Sequence, residues 1–186
     1  AAVGAMYDIG DGVVKDPAEA FKWYRKAAEQ GHAPAQYNLG VIYATGHGAG
    51  KDETEAVKWY LKSAEQGNAL AQSNLALMYF NGGNVKKDEA EAVKWSRKSA
   101  EQGNANAQFL LGLAYYNGSG VGKDPVETVK WYRKAADQGM ACAQYNLGLA
   151  YAKGIGVEKD ERAALILIKK AADQGFTKAQ KLLQER

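Results

Sequence analysis

The chain has 186 residues, of which 46% are hydrophobic and 24% charged, the profile of a chain that folds around an apolar core. Its formal charge of +3 comes from 24 basic and 21 acidic residues interleaved throughout, so no basic block marks a nucleic-acid face. Apolar runs such as Ala163 to Ile168 are far too short to span a membrane, and the single cysteine, Cys142, excludes an internal disulfide and offers no metal-ligand spacing.

Read in chain order, the elements recur with a fixed step. Trp23, Trp59, Trp95 and Trp131 are each 36 residues apart, and Tyr7, Tyr43, Tyr79, Tyr115 and Tyr151 keep the same interval. Gln30-Gly31 and Ala35-Gln36 return in every later unit, and no insertion breaks the register. Val3-Gly4 aligns with Leu39-Gly40, so residues 1 to 9 read as the tail of a first helix with no polar cap before it. That start predicts an array truncated at its N-terminus or continued upstream. The pattern of a signal peptide does not open the chain, which is consistent with either case.

Within one unit, residues 33 to 67, the signals read helix, loop, helix. Ala35, Leu39, Ile42 and Tyr43 share one face at spacings of three and four. Gly40 recurs as Gly112 and Gly148, with Ala76 between, and predicts close approach of a neighbouring helix, since glycine inside a helix otherwise costs about 1 kcal/mol. The loop carries Gly46 and Gly48. Asp52 then caps the second helix, with Glu55 completing a capping box, as do Asp16/Glu19, Asp88/Glu91 and Asp124/Glu127. Pro17 and Pro125 suit the first helical position, and Gly67 suits the stop. In the third unit Asn84 replaces the second loop glycine and is expected to keep its positive φ. The last unit replaces Trp-Tyr with Leu167-Ile168, and residues 177–186 read as a C-terminal capping helix.

The run Ala33-x-Ala35-Gln36-x-x-Leu39-Gly40-x-x-Tyr43-x-x-Gly46-x-Gly48, then Asp52-x-x-x-Ala56-x-x-Trp59 and Ala64-x-Gln66-Gly67, closely resembles the Sel-1-like repeat family, a relative of the tetratricopeptide repeats. The resemblance covers residues 1–186 as a single solenoid. It implies an all-α fold, a right-handed αα superhelix (solenoid) of about five 36-residue helix-turn-helix repeats. It also implies an adaptor or scaffold role in bacterial protein complexes, in a periplasmic or secreted setting that the single cysteine leaves undecided. Cysteine-rich relatives associated with β-lactam binding carry a disulfide in every repeat, which this chain lacks.

Candidate chemistry is sparse. His32 follows a helix stop and His47 sits in a glycine loop, and neither belongs to a repeated device. The glycine loops follow helices, so they read as connectors rather than phosphate cradles. No enzyme activity, metal or cofactor is expected. In related superhelices the first helix of each unit lines the concave surface, and helical phase turns the positions opposite Leu39 and Tyr43 into that groove. The candidate partner-binding residues are Tyr37, Asn74, Phe80, Asn81, Phe109, Tyr116, Asn117, Tyr145, Asn146 and Lys153. The aromatic ones are expected on one continuous inner surface, because rings of this kind are favoured binding anchors. Val41, Leu77, Leu113 and Leu149 share the face and read mainly as packing between first helices. The expectation is a monomeric scaffold holding a protein or peptide in its groove, with no nucleic acid and no membrane span. A β-lactam-binding or hydrolysing enzyme and a structural spacer in a larger protein are the competing readings.

Overall fold

Uniform spacing in sequence becomes uniform length in structure. The computed structural model describes residues 2–82 and 85–185, and among them all regular structure is helical. The elements are α1 (Ala2–Ile9), α2 (Pro17–Glu29), α3 (Ala33–Thr45), α4 (Glu53–Glu65), α5 (Ala69–Asn81), α6 (Glu89–Glu101), α7 (Ala105–Asn117), α8 (Pro125–Asp137), α9 (Ala141–Lys153), α10 (Glu161–Asp173) and α11 (Thr177–Gln184). From α2 to α10 each helix has 13 residues. Odd-numbered helices are the first helices of the repeats and even-numbered ones the second.

The caps explain these boundaries, and they correct two expectations. Asp16, Asp52 and Asp124 each accept hydrogen bonds from the backbone N–H groups two and three residues on, at 2.9–3.1 Å. The reciprocal half of a capping box does not form in these three helices. Their N-cap N–H instead donates to a tyrosine carbonyl of the preceding helix, Asp52 to Tyr43 at 2.8 Å and Asp124 to Tyr115 at 3.1 Å. Glu19, Glu55 and Glu127 turn outward to Lys22, Lys58 and Lys130. The tertiary bond wins because it satisfies the same donor while tying helix to helix. His32 does belong to a repeated device: its Nδ1 caps α3 by accepting from the Ala35 N–H at 3.3 Å, the role that Asn68 and Asn104 fill for α5 and α7. Asn84 lies outside the described residues.

Two compact units make up the chain, Ala1–Asp88 and Glu89–Arg186. In the first, Ala20, Tyr24, Ala28, Ala35, Leu39 and Ile42 form a core between α2 and α3, with Phe21 and Tyr43 meeting edge to face at 5.7 Å. In the second, Val129, Tyr132, Ala135, Ala136, Ala143 and Leu147 do the same between α8 and α9. Ile168, Ala171, Ala172 and Ala179 form a terminal cluster in which Phe176, Leu182 and Leu183 pack against α10. The alanines let the helices approach, and each fully buried leucine of the first-helix column contributes about 1.5–3 kcal/mol.

The helical glycines do mark close approach. A Cβ on Gly40 would stand 2.6 Å from the Tyr60 ring, and one on Gly112 would stand 2.6 Å from Tyr132. The tyrosine of the second helix thus lies flat on the bare backbone of the first. Gln36 adds a polar tie: its amide donates to the Ala28 carbonyl at 3.2 Å and its oxygen accepts from Gln66 at 2.7 Å. Gln108 with Gln138, and Gln144 with Gln174, repeat that bond at 2.8 Å in the second unit.

Candidate partner-binding surface

The tyrosines seated on the glycines also form the floor of a concavity in each unit. Tyr60 and Tyr132 are 3% exposed, and their hydroxyls are held by the side chains of Asn74 and Asn146 on the next first helix. Tyr24 and Asn38 pair in the same way. Burial pushes the Tyr60 hydroxyl up to about 12 and raises that of Tyr132 further, so both stay neutral and serve as hydrogen-bonding groups, not as bases. Burial likewise pushes the Cys142 thiol up, away from the reactive thiolate.

In the second unit, α7 and α9 stand as walls over α8. Leu113, Tyr116, Thr128, Tyr132, Asn146, Leu149, Ala150, Lys153 and Ile155 enclose a cavity of about 150 Å3. Three of the sequence-predicted residues, Tyr116, Asn146 and Lys153, meet there. In the first unit, α3 and α5 stand over α4 in the same arrangement. Ala44, Glu53, Tyr60, Asn74, Leu77, Met78, Asn81 and Gly82 line its counterpart, which brings together Asn74 and Asn81.

The remaining candidates do not line these two cavities. Tyr37 is half-buried, its ring tilted against Tyr60 at 6.0 Å. Phe109 is half-buried and stacks on Tyr132 at 5.6 Å, packed into the core cluster there. Tyr145 leans on Phe176 at 5.3 Å in the terminal cluster. Phe80 is half-buried, and Asn117 is exposed at the end of α7. Phe109 and Tyr145 therefore also hold the fold together, which a binding role alone does not require. Tyr116 differs, being 58% exposed, and Leu77 on the wall of the first cavity is 45% exposed.

Sequence reading missed the floor. Tyr60 and Tyr132 follow the tryptophan column by one residue and read as ordinary core, yet a signal for their role was present. Tyrosine at 24, 60 and 132 is matched by asparagine fourteen residues later at 38, 74 and 146, whereas Ser96 and Ile168 are matched by Leu110 and Leu182. Asparagine accompanies the tyrosine and gives way to leucine where the tyrosine is absent, although the Ser96 hydroxyl is then left buried without a partner among the described residues.

A family model described as Sel1 repeat matches residues 1–32, 33–68, 69–104, 105–140 and 143–176. Among solved structures the chain is similar to a Sel1 repeat protein from Oxalobacter formigenes, with 44% identity and a TM-score of 0.88 over 98% of this chain and 74% of that one. It is similar to c5321, a protective antigen present in uropathogenic Escherichia coli strains, at 37% identity and a TM-score of 0.74. That match covers 96% of this chain but only 46% of c5321. Immunity protein Pa5087 from Pseudomonas aeruginosa is similar at 28% identity, with a TM-score of 0.56 over 94% of this chain and 67% of that one. No match was found among curated proteins. No helix among the described residues is long and apolar enough to cross a membrane.

Proposed function

From a chain that belongs to the Sel1 repeat family, whose members are generally protein-interaction scaffolds, we propose a scaffold that holds a protein or peptide against its first helices. The observation that carries this reading is the concavity built once in each unit from equivalent positions, with the hydroxyl of its tyrosine floor already satisfied by an asparagine. The walls add Leu77 and Tyr116, 45% and 58% exposed, which offer contact area. A large amphipathic ring beside an apolar pocket is what a partner side chain buries against. The reading leaves catalysis out: the His32 Nδ1 is engaged in capping α3, and His47 stands on an exposed loop 3.6 Å from Asp8. Tyr116 is the best anchor of the candidate set, because its ring is free to be covered.

Affinity capture from the source organism tests the reading, with wild type compared against a Tyr116→Ala/Leu149→Ala variant and a Leu77→Ala variant. A protein retained by wild type and lost from a cavity variant of unchanged circular dichroism supports the grooves as the binding surface. Equal retention by all variants would place the interaction elsewhere and sink the proposal.

A further inference from the structure

The two cavities share a plan but not a charge. Helices α3, α5 and α7 contain no ionisable acidic or basic residue, and α9 contains one, Lys153 in its last turn. The first helices that wall the grooves are thus electrically blank apart from a single cation at the rim of the second-unit cavity. Lys153 has no ion-pair partner among the described residues, unlike the paired lysines Lys58 and Lys130 of the second helices. Two other polar groups of that cavity are engaged internally: Thr128 donates to the Asp124 carbonyl at 2.8 Å, and Asn146 holds the Tyr132 hydroxyl. In the first-unit cavity the position of Lys153 is taken by Asn81, and Glu53 is held by Lys51 at 2.8 Å. The wider field runs the same way, since residues 89–186 carry 15 basic and 11 acidic residues against 9 and 10 in residues 1–88.

Size narrows the occupant. An apolar cavity of about 150 Å3 is the kind that takes up a benzene-sized group. Leu113, Leu149, Ile155 and the Tyr116 ring supply its apolar wall. We propose that the second-unit cavity receives one aromatic side chain of a partner peptide, with an Asp or Glu side chain beside it meeting Lys153. This deepens the groove reading above and rests on it. The first-unit cavity, lacking the cation, makes no such demand, so the acidic preference belongs to one unit alone. A lysine at the rim of an exposed groove adds little binding free energy but selects against basic neighbours of the anchor.

A phage-displayed library of random 12-residue peptides, fused so that no free carboxyl terminus is present, is selected on the intact chain. The enriched peptides are expected to carry Phe, Tyr or Trp with Asp or Glu within two positions. For a synthetic, C-terminally amidated copy measured by fluorescence anisotropy, Glu→Gln in the peptide should weaken binding about two- to five-fold, the range of an exposed ion pair. Lys153→Gln should weaken it equally, and the two changes together should cost no more than either. Peptides that lose binding with Tyr116→Ala but carry no acidic residue and ignore Lys153→Gln would overturn the charge assignment and leave the groove reading standing. Binding only to peptides with a free carboxyl terminus would overturn it too, by naming a different anion. Enriched peptides indifferent to both Tyr116→Ala and Leu149→Ala, or no enrichment at all, would bring down the groove reading with it.

Discussion

Asn146 separates a structural asparagine from one available to a partner. Its side chain holds the hydroxyl of Tyr132, a residue 3% exposed and lying against Gly112. Replacing Asn146 with alanine leaves that hydroxyl buried without a partner, a loss of about 1–3 kcal/mol. For a chain of this size each kcal/mol moves the melting temperature by about 2–4 °C, so a mid-range loss of about 2 kcal/mol lowers it by about 4–8 °C. Tyr132→Phe alone removes the hydroxyl and costs about 1 kcal/mol, the net worth of one hydrogen bond. In the double variant no orphan group remains, so it should be more stable than Asn146→Ala alone, and the two losses should fall well short of adding. Urea unfolding followed by circular dichroism reads all four proteins. Unchanged stability in Asn146→Ala, or no recovery on adding Tyr132→Phe, would refute the pairing and return Asn146 to the surface as a free amide.

Three further outcomes follow from the same geometry. Gly120 and Gly139 both have positive φ, +69° and +88°, but a Cβ on Gly120 would overlap the Glu89 carbonyl whereas one on Gly139 meets nothing within 4 Å. Gly139→Ala should cost about 1–2 kcal/mol, the conformational share alone, and Gly120→Ala at least about 1–3 kcal/mol more from overpacking; equal urea midpoints would show that the loop gives way. Because the Tyr60 hydroxyl is raised from 10.0 to about 12, its contribution is fully present below pH 10 and is lost as pH rises towards 12. Wild type should lose about 2–3 kcal/mol over that window relative to Tyr60→Phe, and parallel stability curves for the two proteins would refute the burial argument. Deleting residues 174–186 uncovers Ile168, Ala171 and Ala172 and removes the Gln174–Gln144 bond, so the shortened chain should melt lower and aggregate; unchanged solubility and melting would deny α11 a capping role.

Periodicity in the sequence located every described helix, because caps and stops act within a few residues of one another. Ala35, Leu39 and Ile42 are buried as their spacing predicts, and Gly40 meets a neighbouring helix as its recurrence predicts. What stayed hidden depends on which positions of different helices meet. A 36-residue column says that Asn74 and Asn146 are equivalent, but not that each reaches a tyrosine fourteen residues earlier. Glu55 has the spacing of a capping box, yet the N–H it was expected to bond is taken by Tyr43 from another helix. His32 read as no part of a repeated device because it is the lone histidine in a column otherwise filled by Asn68, Asn104, Met140 and Phe176. Its capping oxygen-equivalent is a ring nitrogen. Helical phase gives the expected face of Phe109 and Tyr145, but not that their rings stack on Tyr132 and Phe176.

The glutamine ties have a consequence for how such an array can change over generations. Gln36 reaches back eight residues to Ala28 and forward thirty to Gln66, and Gln108 and Gln144 use the same two offsets within their own unit. No bond in that relay depends on where in the chain it stands. Duplicating or deleting a whole 36-residue segment inside a unit would restore every tie at the new junction, while a change of any other length would strand a glutamine amide beside an unmatched carbonyl. Gene-level gain and loss of complete repeats is therefore the mutational step that this chemistry tolerates, and each gain would add another surface on which side chains can diversify.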